Sequence, residues 1–242
     1  MTIDALLNGR VQLRQAENGY RAAIDPVLLA ASVPAKSGQK ILELGCGTGA
    51  AMFCLAARVK RLTIVGVEND PTACALAEVN CVLNAALGSF TLVPGDARRL
   101  PRTLPANSFD HAMINPPYYD SAAYTPAADA GKSAAHSMAA GDLALWVKAA
   151  HGRLRDGGTL TIIHHAAGLT VLLGAMQGKF GGLHIYPLWP KAEQPAKRII
   201  VQGKKSSKAP LRLCTGMELH HEQNFTAATE AVLRHGAALS LK

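Results

Sequence analysis

A chain of 242 residues, 49% of them hydrophobic, is long enough to bury a large core, and one α/β domain with additions fits it better than two equal domains. The longest uncharged stretch, residues 157–178, is broken by glycines and by His164-His165 and is not a continuous apolar span, and residues 1–10 lack the basic start and apolar run of a cleaved leader, so a cytoplasmic protein with no membrane partner is expected. The net charge is +8, and beyond residue 178 ten Lys or Arg stand against four Glu, a bias that suits a polyanionic partner and equally a merely soluble surface.

Residues 4–15 alternate apolar and basic side chains (Val11 and Leu13 with Arg10 and Arg14), and Glu17-Asn18-Gly19 supplies a turn, which together predict a hairpin. An apolar helix is expected from about Asp25, with Asp25 as N-cap and Pro26 in the first turn. Lys40 to Leu44 reads as a buried strand that empties into Gly45-Cys46-Gly47-Thr48-Gly49, followed by a helix from Ala50 to Arg58. A strand from Leu62 to Val67 ends at Glu68, a helix spans Pro71 to Leu87, and a third strand, Ser89 to Val93, ends at Gly95-Asp96. Asp110 to Ile114 is the fourth strand of this series, stopped by Asn115-Pro116-Pro117, because prolines remove backbone donors. Strands alternating with helices at this spacing imply βαβ units and a parallel sheet with right-handed crossovers.

Residues 120–137, rich in Ala, Ser and Gly without periodicity, suggest a mobile loop, after which Asp142 is expected to cap a helix running to Leu154. Asp156-Gly157-Gly158 stops it; a strand (Thr159 to His164), a helix (Gly168 to Lys179) and two strands (Leu183 to Leu188, Arg198 to Gly203) follow. The expected organisation is an N-terminal hairpin and helix over 1–36, a central domain over 37–205 and a C-terminal extension over 206–242, with a helix from Thr226 to Arg234. Five cysteines (Cys46, Cys54, Cys74, Cys81, Cys214) include no C-x-x-C pair and read as buried thiols, not disulfides or a metal site.

Three glycines at alternate positions after a strand let the chain turn tightly and let a ligand lie against bare backbone at a helix N-terminus. The spacing G-x-G-x-G is one residue shorter than the dinucleotide fingerprint, which weakens a nicotinamide reading. Glu43 just before the glycines, and Glu68 and Asp96 ending the next two strands, form a series of acids on successive strand ends. Carboxylate oxygens after a second strand suit a ribose diol. In an open α/β sheet, ligands collect beyond the carboxyl ends of the strands, which is where Asn115 and Tyr118 fall. Asn-Pro-Pro alone is also ordinary turn sequence.

Taken together, residues 41–49 (Ile-Leu-Glu-Leu-Gly-Cys-Gly-Thr-Gly) resemble the first motif of class I S-adenosylmethionine-dependent methyltransferases, and Asn115-Pro116-Pro117-Tyr118 resembles the (Asn/Asp)-Pro-Pro-(Tyr/Phe) motif of members that methylate a conjugated nitrogen. Gly19-Tyr20-Arg21, residues 25–29, the doubled Tyr119 and Lys197-Arg198 are similar to the bacterial tRNA adenine-N6 methyltransferases acting on a valine tRNA. The resemblance implies a Rossmann-like, seven-stranded, mostly parallel sheet flanked by helices. It implies S-adenosyl-L-methionine as cofactor, held by Tyr20, Asp25, Glu43, Gly45, Cys46, Gly47, Gly49, Glu68 (ribose), Asn69, Asp96 (adenine amine), Ala97 and Asn115.

In the chemistry so implied, Asn115, Pro116, Pro117 and Tyr118 form the catalytic stretch. The Asn115 amide oxygen and Pro116 carbonyl accept the two N–H bonds of the amine, and Tyr118 stacks on the base. No tuned general base is needed, so positioning supplies most of the acceleration. An anticodon-loop base is already exposed, whereas a duplexed one must be flipped out. Arg21, Tyr119, His136, Arg198, Lys204, Lys205 and Lys208 are candidates for RNA contact, the lysines as a phosphate patch, while surface or packing roles fit each of them too. His164-His165 could also reach substrate; no metal-ligand spacing links the histidines. A monomer or weak homodimer is expected. Competing readings are a glutamine-N5 protein methyltransferase, a DNA adenine methyltransferase and a non-catalytic RNA-binding protein.

Overall fold

The computed structural model describes residues 2–16, 23–116 and 130–242, side chains included except over 130–140. A short hairpin, β1 (Thr2–Leu6) and β2 (Val11–Gln15), precedes helix α1 (Asp25–Ser32). Then come β3 (Lys40–Leu44), α2 (Ala50–Arg58), β4 (Thr63–Glu68), α3 (Pro71–Leu83), β5 (Ser89–Pro94) and β6 (Phe109–Ile114). The second half holds α4 (Ala130–Arg153), β7 (Leu154–His165), α5 (Leu169–Met176), β8 (Phe180–Trp189) and β9 (Arg198–Lys205). Four two-residue strands follow, β10 (Arg212–Leu213), β11 (Met217–Glu218), β12 (His220–His221) and β13 (Asn224–Phe225), and then α6 (Ala227–Leu233), capped by the Thr226 side chain.

One sheet organises the chain, in the order β10-β8-β9-β7-β6-β3-β4-β5, with β11 also paired to β8. Its seven longer strands match the seven expected, and the sheet is largely parallel: β5, β4, β3, β6 and β7 run together, while β9 lies antiparallel between β7 and β8. The chain builds outward from β3 through β4 to β5 and then crosses back to place β6 on the other side of β3. That reversal of direction opens a crevice at the carboxyl ends of β3 and β6.

Period-two alternation along the strands divides the core between the two faces. Ile41, Ile64, Met113, Ile163 and Ile200 pack with α1, α2, the hairpin and residues 214–241. Leu42, Ala112, Ile114, Ile162, Ile199 and Val201 pack with α4 and α5. Every residue of α2 from Ala50 to Ala57 is buried, as befits a helix covered on both sides. All five cysteines are free thiols, with Cys46, Cys54 and Cys214 buried. Among the described residues no helix is long and apolar enough to cross a membrane.

Four sequence expectations need correction. The hairpin turns at Leu7 to Arg10, where Leu7 and Asn8 take positive φ ahead of Gly9, and not at Glu17-Asn18-Gly19, which lie outside the described residues. The N-cap of α1 is Ile24, and Asp25 is a first-turn residue whose carboxylate is spent on Arg198. The helix ending at residue 83 is followed by a separate 3-10 turn, Ala85–Leu87, in place of one helix to Leu87. Asp142 is not a cap: α4 begins at Ala130 and runs 24 residues, through the second half of the stretch expected to be a loop. Alanines 130, 134, 135, 139 and 140 carry that helix through Gly131 and Gly141, since alanine has the highest helix propensity.

Candidate active site at the carboxyl ends of the central strands

Between β3 and α2 the chain makes a tight loop. The Gly45 and Cys46 amides both donate to the Val67 carbonyl of β4, at 2.8 and 3.1 Å, so the loop folds over the end of the neighbouring strand. Gly45 has φ +64, and a Cβ there would sit 2.7 Å from the Trp146 ring of α4, so both backbone angle and space demand glycine. Gly47, at φ +54, has nothing within 4 Å of where its Cβ would lie, leaving its backbone open to a ligand.

The loop is tied to the end of β4 by Glu68. One Glu68 oxygen accepts the Gly47 amide at 2.8 Å; the other accepts the amides of Asn69 and Asp70 at 2.8 and 2.9 Å. Three backbone donors thus fix the carboxylate with lone pairs to spare. Below it Glu43 is 2% exposed, and its Oε2 has no partner among the described residues. Burial pushes the Glu43 carboxyl well above the ordinary range, partly offset by a backbone hydrogen bond, with the nearby Glu68 charge adding to the rise. An orphaned, buried acceptor of this kind is costly and suits a cationic donor.

At the end of β5, Asp96 is held by Arg98, whose Nε lies 2.9 Å from both carboxylate oxygens and whose amide donates at 2.8 Å. That guanidinium holds the Asp96 carboxyl below its usual range. Arg98 also reaches Asp142 at 3.1 Å, joining the loop after β5 to α4.

A cleft of about 790 Å³ connects these groups. Of the residues selected from sequence it is lined by Glu43, Gly45, Cys46, Gly47, Glu68, Asn69, Asp96, Ala97, Asn115 and Pro116. Gly49 does not line it and serves as the left-handed N-cap of α2, φ +92. Asp25 is also off the cleft, buried against Arg198, although its neighbour Pro26 reaches it. Tyr20, Arg21, Pro117, Tyr118 and Tyr119 lie outside the described residues, as does the side chain of His136. Among the described residues no group of three or more His, Cys, Asp or Glu could hold a metal ion.

The lysine patch is where the structure departs furthest from the sequence reading. Lys204 pairs in register with Thr159, which faces His111 near the start of β6, and Lys205 pairs with Phe180 at the start of β8, so the patch lies at the opposite end of the sheet from the glycine loop. Lys205 leaves the patch altogether. It is 8% exposed, and its ammonium donates to Asn107 Oδ1 and to the His151 and Leu154 carbonyls at 2.7, 2.9 and 2.7 Å. All three of its donors are used within the fold. Lys204 and Lys208 are exposed, and Arg198 is half-buried.

Sequence reasoning missed Trp146, Asp142 and Arg98, all of which line the cleft. Trp146 and Asp142 stand four apart, one helical turn, and that spacing with one of only two tryptophans was the available signal.

The family model of the methyltransferase small domain matches residues 22–185, about two thirds of the chain, from α1 into β8. The chain belongs to the methyltransferase small domain family. A tRNA1(Val) (adenine(37)-N6)-methyltransferase of Shewanella loihica is 31% identical over 105 residues, 42% of this chain and 43% of that protein. An rRNA N(6)-adenosine-methyltransferase of Caenorhabditis elegans is 26% identical over 45% of this chain and 51% of its own length. The chain therefore spans about half the length of these curated relatives. Among solved structures, a predicted O-methyltransferase from Agrobacterium tumefaciens superposes with a TM-score of 0.74 at 24% identity, covering 89% of this chain and 98% of that one. Its likeness establishes the Rossmann-like methyltransferase fold.

Proposed function

We propose that this methyltransferase uses S-adenosyl-L-methionine to methylate the exocyclic N6 of adenine in RNA, with tRNA as the substrate. The observation that carries the reading is one cleft, at the switch point of the sheet, lined at once by the glycine loop, Glu68, Asp96 and Asn115. The residues present fit the cofactor. Glu43 offers an orphaned buried acceptor for an ammonium, Gly47 an uncovered backbone, and Glu68 a pre-oriented carboxylate for a diol. When bound, the cofactor supplies a methyl group on a positively charged sulfur.

The chain's own part is to hold and orient. Asn115 and the Pro116 carbonyl, at the end of β6, accept the two N–H bonds of the amine and turn its lone pair toward the cleft. That matters because an amine conjugated with an aromatic ring is a poor nucleophile. That lone pair would take the methyl group the cofactor supplies, and one amine proton would leave to solvent. Tyr118, and Tyr119 beside it, would supply stacking of about 1 to 3 kcal/mol on an unpaired base. Two relatives named for adenine N6 in tRNA and rRNA support the acceptor, and the basic C-terminal quarter, with exposed Lys204 and Lys208, supports an RNA. Arg198, bonded to Asp25, keeps a lesser place in that surface.

The test is incubation with methyl-labelled cofactor and bulk tRNA, followed by digestion to nucleosides. Label in N6-methyladenosine is the expected result. Label appearing in protein instead would assign the site to a glutamine amide, which is equally planar and poorly nucleophilic.

A further inference from the structure

We propose that Asn80 is a positioning residue for the cofactor loop, holding the N-terminal hairpin and the glycine loop in one register through a single buried amide. The proposal rests on the cleft being the cofactor site.

Strand β2 has β1 on one side, paired from Thr2↔Gln15 to Leu6↔Val11, and among the described residues no strand on the other. Its open edge offers the N–H and C=O of Gln12 and Arg14, since alternate residues of a strand point their backbone groups to opposite sides. Asn84 accepts from the Gln12 amide at 3.2 Å and donates to its carbonyl at 2.7 Å. Asn80 accepts from the Arg14 amide at 2.7 Å and donates to its carbonyl at 3.0 Å. Two carboxamides four apart, Asn80 on α3 and Asn84 at its C-cap, thus take the place of a third strand. The match is metric: four residues of helix rise about 6 Å, and two residues of strand span about 6.7 Å.

The two asparagines differ in their last N–H. That of Asn84 returns to its own helix, to the Asn80 carbonyl at 2.8 Å. That of Asn80 crosses to the Thr48 carbonyl, at 3.0 Å, inside the glycine loop. Thr48 lines the cleft, and so does Ala16, the residue that leaves β2. Asn80 is 0% exposed, so water cannot replace any of its three bonds. The hairpin exit and the loop against which the cofactor lies are therefore set by the same side chain.

Asn84 is the internal control, because it makes the same strand contacts from the same helix without touching the loop. Cofactor affinity is measured by calorimetry, with thermal melts on each protein. Asn80→Ser, too short to reach Thr48, should weaken cofactor binding about five- to tenfold, the worth of one buried hydrogen bond. Asn84→Ser should lower the melting temperature comparably and leave cofactor affinity within about twofold. Equal weakening by both variants, or none by either, overturns the proposal.

Hydrogen exchange on the unmodified protein gives a second readout should Asn80→Ser not fold. Saturating cofactor should slow exchange of the Arg14 amide, held by Asn80, more than that of the Gln12 amide, held by Asn84. Equal slowing overturns it. An unmodified protein that binds no cofactor would overturn the cleft assignment itself, which separates the two failures.

Discussion

The two ends of the central sheet use their buried ionisable groups differently, although the Arg58 and Arg153 Nε atoms at the amino ends also lack a partner among the described residues. At the amino ends, His111 is clasped by Thr159 Oγ1 at 2.7 Å and Gln39 Oε1 at 3.0 Å, Asp110 binds the Lys40 amide and Arg155, and Lys205 uses all three donors. At the carboxyl ends, Glu43 keeps an oxygen without a partner among the described residues, Gly45 and Gly47 take left-handed angles, and a cleft stays open above them. A polar group closed off by its neighbours holds a fold together. One that is buried and left unsatisfied costs free energy, which is recovered when a ligand completes it.

The largest effect expected is on transfer itself. Asn115→Ala should lower methyl transfer by about a hundredfold or more, as loss of one aligned polar group at a reacting centre does. Cofactor affinity, read by calorimetry, should stay nearly unchanged; a large loss would mean that Asn115 belongs to the cofactor's half of the cleft. Next comes the loop. Gly45→Ala places a methyl 2.7 Å from Trp146 at φ +64. About 1 to 3 kcal/mol of strain is expected, together with failure to bind cofactor. Gly45→Ala combined with Trp146→Ala should recover part of the folding stability but not all of it, because the backbone angle remains; full recovery would make space the whole reason for the glycine.

At the amino end the expected effect is on stability and depends on pH. Burial lowers the His111 pKa to about 4, below the ordinary 6.5. The folded state binds the proton more weakly than the unfolded one, so the contribution is complete above about pH 6.5 and is lost as pH falls toward 4. Up to about 3 kcal/mol is at stake, discounted for the structural relaxation that burial permits. Melting temperatures from pH 7.5 to 4.5 should fall more steeply for the natural protein than for His111→Asn. Parallel curves would show that the ring is already solvated.

The parallel sheet was legible because apolar runs such as residues 40–44 and 110–114 alternate with helical stretches, and the glycine loop because few other residues tolerate its angles. The acids at 43, 68 and 96 were legible as strand ends. What could not be read was direction. A lysine at the far end of an antiparallel strand looks, in sequence, like one near the site. The antiparallel pairing of β9 with β7 is what carries Lys204 and Lys205 away from Asn115. Nor could sequence reveal that Lys205 is a buried donor to two carbonyls, because lysine is almost never fully buried unless paired. The start of α4 was hidden by its glycines and serines, which mimic a loop until the alanines are weighed.

The smallest effect would do most to sharpen the contrast between the ends. If the amino end adds affinity for RNA while the carboxyl end does the chemistry, the exposed Lys204 and Lys208 are its phosphate contacts and Lys205 is not. Replacing Lys204 and Lys208 together by Ala should weaken RNA binding and lower the slope of log affinity against log salt by about 1.4 to 1.8, two contacts' worth. Transfer at saturating RNA should be unaffected, because neither side chain approaches the cleft. Lys205→Ala should leave the slope alone and lower the melting temperature, since it strips buried carbonyls of a charged donor. A slope that moves with Lys205 and not with its two neighbours would mean that the ammonium leaves its pocket to meet phosphate. An unchanged slope in all three would confine the RNA to the carboxyl end, around Arg198.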